Sequence, residues 1–130
     1  MKILVGYDGS NAARDALELA QRHAKAFHAD VHVVTSMFRS KNNQYDDFQQ
    51  AKIALKYAKT LLEKDNIQCE THLLVRGLSP GKDLVIFAEE EQISEIIVGV
   101  RRRSKVGKLL MGSTAQHVIL NAPCPVVTIK

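Results

Sequence analysis

The sequence predicts an α/β fold of the doubly wound, Rossmann-like type, with four helices around a five-stranded parallel sheet. Three observations carry this. Short β-branched apolar runs alternate strictly with longer segments whose apolar residues recur every three or four positions. Turn residues punctuate the junctions, as at Asp8-Gly9-Ser10, Asp65-Asn66 and Gly77 to Pro80. Finally, 130 residues with 45% apolar and 25% charged side chains suit one globular domain, expected to span 1–130, and exclude a disordered chain.

The first strand is the apolar run at 2–7, ended by Asp8-Gly9-Ser10. Ser10 or Asn11 can cap the helix that follows, where Ala13, Ala16, Leu17, Ala20, Ala24 and Phe27 form one apolar stripe to about His28. After Ala29-Asp30, the β-branched run 31–37 reads as strand two. The polar stretch 39–47 is expected to be a loop. A helical period resumes from about 48 to 64 through Ala51, Ala54, Leu55, Ala58, Leu61 and Leu62.

Strand three, 67–75, alternates polar with apolar residues and so suits a sheet edge. Ser79 and Pro80 open helix three, 80–91, with Asp83 expected to supply first-turn negative charge. Strand four is 93–99. Helix four covers about 112–120, and Pro123-Cys124-Pro125 separates it from a last strand at 126–129. Strict alternation requires crossover connections and hence parallel strands, and the expected order is 3-2-1-4-5.

Several function classes fall away. No apolar run approaches the roughly 18 residues of a membrane span, so neither a span nor a signal peptide is expected and the protein is placed in the cytoplasm. Cys69 and Cys124 lack ligand spacing and read as reduced structural thiols. His23, His28, His32, His72 and His117 show no HExxH pattern and fall on different elements, so no metal site is expected. Nucleophile-elbow and papain-type signatures are missing, and no catalytic residue is assigned.

What remains is a constellation at the strand ends. The formal charge of +4 is concentrated in Arg101, Arg102, Arg103, Lys105 and Lys108, which follow strand four directly. Gly99 permits close backbone approach, while Gly112, Ser113 and Thr114 open a helix with free N–H groups and hydroxyls. Both features favour an anion. In parallel sheets ligands lie beyond the carboxyl ends of the strands, which puts this loop beside Asp8, an acceptor for a sugar or base. The pair matches two ends of a nucleotide. A Walker loop is excluded because Arg102 and Leu109 stand where it needs Gly and Ser or Thr, and no GxGxxG is present.

These residues resemble the universal stress proteins over essentially the whole chain: residues 3–10 (Ile-Leu-Val-Gly-Tyr-Asp-Gly-Ser), Gly99 to Ser113, and 122–127 (Ala-Pro-Cys-Pro-Val-Val) match three markers of that family. The resemblance implies an adenine nucleotide alpha hydrolase-like fold and binding of ATP, ADP or AMP, with any Mg²⁺ held through the phosphates. It places the adenosine end at Asp8, the adenine beside Ser36 and Met37, and ribose or phosphates at Gly99, Arg102, Gly112, Ser113 and Thr114, with Gly6 and Arg101 also counted among the nucleotide-binding residues. The ATP-binding members have glycine, two residues, glycine, nine residues, glycine, then Ser or Thr; here Arg102 replaces the second glycine. Two readings stay open there: its bulk blocks a phosphate, or its guanidinium holds one.

The resemblance also implies a role in stress adaptation, a homodimer joined through strand 126–129, and hydrolysis that is at most slow. Two other readings stand beside it. One is a dimeric regulatory or interaction module without nucleotide, working through an unknown protein partner. The other is nucleic-acid binding by the basic loop, which has less support because aromatics make up 5% of the chain and none lies in that loop.

Overall fold

The computed structural model describes residues 1–38, 44–100 and 111–130. The apolar run that begins the chain becomes β1 (Lys2–Gly6), the middle strand of the sheet, and Ile3, Leu4 and Val5 have no exposure at all. Burial on both faces is what a continuous apolar run needs. β2 (Asp30–Ser36), β3 (Cys69–Leu74), β4 (Glu95–Gly99) and β5 (Val126–Ile129) complete a parallel sheet of order β3-β2-β1-β4-β5. The expected architecture is therefore the observed one.

Four helices cover the sheet: α1 (Asn11–Phe27), α2 (Gln44–Glu63), α3 (Pro80–Glu90) and α4 (Ser113–Asn121). Because neighbouring strand residues point to opposite faces, each strand feeds two cores. Ile3, Val5, Val31, Val33 and Ile97 pack with α1 and α2, whereas Leu4, Val34, Ile96 and Val98 pack with α3 and α4. The apolar stripe of α1 is buried at Ala13, Ala16, Leu17, Ala20 and Ala24. Phe27, in its last turn, instead stays 56% exposed and meets the His23 ring edge-on.

α1 is also bounded as its sequence suggests. The Ser10 hydroxyl accepts the Ala13 N–H at 3.2 Å, and His28 ends the helix at φ 52°. α2 begins at Gln44, four residues before the apolar period becomes visible. Its first turn carries Asp46 and Asp47, which suit a helix N-terminus and give a polar stretch the look of a loop. Residues 39–43 of that expected loop lie outside the described residues.

Asp83 supplies the first-turn negative charge of α3, as expected. It is fully buried, and its Oδ1 accepts the Arg76 Nε–H at 2.7 Å while Oδ2 accepts the Ser36 hydroxyl at 2.7 Å. Arg76 continues to Glu90 at 3.1 Å, so part of the acidic run at the end of α3 is paired rather than merely solvated. On the same side of the sheet, His32 and His72 stack at 5.3 Å and both contact Phe87. Burial, then the neighbouring His32, holds His72 below the usual histidine value.

Candidate nucleotide site

In this strand order the chain leaves β1 towards β2 on one side and reaches β4 on the other, so connections diverge at the carboxyl ends of β1 and β4. Such a divergence opens a crevice beyond the strand ends. It is a cavity of about 610 Å³, within the range of small-molecule sites. Its floor is made of strand ends: Gly6, Tyr7 and Asp8 from β1, Val34, Thr35 and Ser36 from β2, and Val98 and Gly99 from β4. Pro80 and Leu84 of α3 form one apolar wall, and Met111 to Ala115 form another.

Each polar group is held by its local fold. Asp8 precedes Gly9, whose φ of 79° suits a residue without Cβ, and the turn lets Asp8 Oδ1 accept the Ser10 N–H at 2.9 Å. Thr35 Oγ1 donates to the Tyr7 carbonyl at 2.6 Å, locking the ends of β1 and β2 together beneath the cavity. Tyr7 is 3% exposed, and this burial raises its phenol above the ordinary value despite a hydrogen bond with Arg14.

At the opposite wall Gly112 is the N-cap of α4, with φ −66° and ψ 162° and no side-chain cap. The N–H groups that a cap side chain would serve, on Thr114 and Ala115, therefore lack a hydroxyl or carboxylate acceptor from the cap. A Cβ on Gly112 would meet no described atom within 4 Å. Gly99 differs in kind. A Cβ there would fall 2.3 Å from the Ala12 carbonyl oxygen and 2.8 Å from Ala12 Cβ, so this glycine lets the start of α1 sit directly over the end of β4. Its close approach is to the chain's own backbone, where the sequence alone suggests a ligand.

Seven of the sequence-derived residues thus surround one cavity: Gly6, Asp8, Ser36, Gly99, Gly112, Ser113 and Thr114. Met37 is not among its lining; it lies past β2, its N–H donated to the Leu74 carbonyl at 2.9 Å. Arg101 and Arg102 lie outside the described residues, as does the rest of 101–110. The sequence did not point to Tyr7, Thr35, Pro80 or Leu84. For Tyr7 and Thr35 the signal was available, since both sit at carboxyl ends of strands; Pro80 and Leu84 enter only through the packing of α3.

These features define a class of parallel α/β proteins with a ligand crevice at the point where strand order reverses and a helix N-terminus facing into it. The chain belongs to the universal stress protein family, whose sequence profile matches residues 1–130. It is similar to a universal stress protein of Archaeoglobus fulgidus, at 39% identity and a TM-score of 0.90, covering 100% of this chain and 98% of that one. A universal stress protein from the same organism, solved in complex with dAMP, matches at 35% identity and a TM-score of 0.85, with the same coverage. Among curated sequences, a universal stress protein of Methanocaldococcus jannaschii is 29% identical over 140 residues, covering 99% of this chain and 81% of the relative.

Proposed function

We propose that this protein binds an adenine nucleotide in the cavity, with the adenosine end towards Asp8 and the phosphates at the start of α4. The observation that carries the reading is the pairing, across one cavity, of a carboxylate on the β1 turn with a glycine-capped helix N-terminus. The first is a hydrogen-bond acceptor for ribose or base; the second presents backbone N–H groups and a favourable dipole to an anion. The dAMP held by the 35% identical Archaeoglobus protein supports the same ligand class.

Within this reading ATP is the proposed physiological ligand, its triphosphate extending towards the cations of 101–108 and Mg²⁺ riding on the phosphates. Arg102 then replaces backbone approach by a guanidinium contact. No general base is assigned, and the role is that of a nucleotide-responsive regulator in stress adaptation. We further propose a homodimer through β5: it is a sheet edge, and beside it Ile119 and Leu120 of α4 are 39% and 74% exposed.

Competition between a fluorescent ATP analogue and unlabelled ATP, AMP and a short oligonucleotide tests the ligand class. Displacement by ATP and AMP, weakened about tenfold or more by Asp8→Ala, is expected. Displacement by the oligonucleotide alone, with a steep salt dependence, would replace this reading by nucleic-acid binding.

A further inference from the structure

β2 and β3 run parallel in a register that sets His32 opposite Glu70 and Val34 opposite His72. Glu70 and His72 are two residues apart, so strand alternation turns both to the same face of β3, the face that His32 shares on β2. Three potential ligand atoms meet there. His32 Nδ1 lies 3.0 Å from His72 Nε2 and 3.5 Å from a Glu70 carboxylate oxygen, and that oxygen lies 3.8 Å from His72 Nε2.

We propose that His32, Glu70 and His72 form a binding site for a divalent transition-metal ion of the zinc type. A triangle with these sides has a point about 2.0 Å from all three of its corners, which is the length of zinc–imidazole and zinc–carboxylate bonds. The donor set of two imidazoles and one carboxylate suits borderline metals rather than Mg²⁺ or Ca²⁺, which prefer oxygen alone. Burial is graded in a way that serves entry. The His32 side chain is 7% exposed and that of His72 25%, both anchored on Phe87, while that of Glu70 is 71% exposed and leaves a solvent-facing coordination position.

None of the three residues lines the nucleotide cavity. Metal binding here is therefore independent of nucleotide binding in its contacts, and it would tie the edge strand β3 to β2 by bonds additional to the sheet ladder. Without metal, the two imidazoles are joined by a single N–H···N hydrogen bond, a geometry that a metal can take over once the donor ring tautomerises and carries its proton on its other nitrogen.

The test is titration of the metal-stripped full-length protein with Zn²⁺ against a chromophoric chelator, alongside the visible absorption of the Co²⁺ form. One ion per chain is expected. Glu70→Ala, at a mostly exposed position that folding does not need, should weaken Zn²⁺ by about tenfold or more, and His72→Ala should abolish the Co²⁺ ligand-field bands. His117→Ala, on α4 and away from the cluster, should leave both unchanged. Circular dichroism of each metal-free variant confirms that it is folded. No Zn²⁺ uptake by the wild type up to about 0.1 mM free ion would overturn the proposal. So would uptake that Glu70→Ala and His72→Ala leave intact, or that His117→Ala removes equally.

Discussion

Two glycines at the rim of the cavity do opposite jobs. Gly99 is required by the fold, since any Cβ would strike Ala12 backbone within 2.5 Å, whereas Gly112 has open space around it. Gly99→Ala should therefore cost about 2–3 kcal/mol of stability through overpacking, read as a fall in the urea midpoint. Gly112→Val, filling space where a phosphate is proposed, should lower that midpoint only by the cost of a poorer N-cap, about 1 kcal/mol, and remove nucleotide binding. The Arg76, Asp83 and Ser36 cluster gives a third case. Arg76→Ala strips a guanidinium from a fully buried carboxylate and should destabilise by about 3 kcal/mol, while Ser36→Ala loses one hydrogen bond and should cost about 1 kcal/mol. Arg76→Ala acts on the cavity only through α3, so nucleotide affinity should fall more gently than stability, whereas Ser36 lines the cavity itself and its loss should be felt directly in affinity.

At the scale of elements, the periodic helices and apolar strands were legible because burial dictates their pattern. α1 is the clearest instance, its stripe from Ala13 to Ala24 being the buried face itself. The start of α2 was not legible, because Asp46 and Asp47 stabilise a helix terminus with the same residues that make a loop polar. Asp83 was legible as a first-turn carboxylate, but its burial was not, because only packing brings Arg76 and Ser36 to it. The convergence of His32, Glu70 and His72 was invisible to motif spacing since it depends on the register between two strands; the Glu70-x-His72 pair on a strand was its one local trace.

β3 also carries a pH dependence. Burial pushes the Cys69 thiol up to about 11 from 9.0, and burial likewise raises Tyr7 above 10.0. Both groups are favoured neutral in the folded state: the Cys69 contribution is fully present below pH 9.0 and is lost as pH rises from there through about 11, while the Tyr7 contribution is present below 10.0 and is lost above it. Melting temperature should fall across that window, and Cys69→Ala should flatten part of the fall. The same burial keeps Cys69 a thiol at pH 8, so a disulfide-exchange reagent should modify it only on unfolding.

For the molecule as a whole, the strand order fixes where a ligand can go. Diverging connections at β1 and β4 make the crevice, and the N-terminus of α4 makes it favourable to an anion. No described helix is long and apolar enough to cross a membrane, and Ile119 and Leu120 of α4 are exposed apolar side chains. The proposed dimer through β5 should appear in sedimentation equilibrium and dissociate on Thr128→Lys, which charges the exposed position of the edge strand; a monomer in the wild type would contradict it. The central claim is nucleotide in the crevice, and calorimetric titration of nucleotide-stripped protein with ATP, for the wild type and Gly112→Val side by side, tests it most directly. Saturable binding of one ATP per wild-type chain is expected, and none to a Gly112→Val variant that circular dichroism shows to be folded. Equal binding by both, or no binding by the wild type, would contradict that claim.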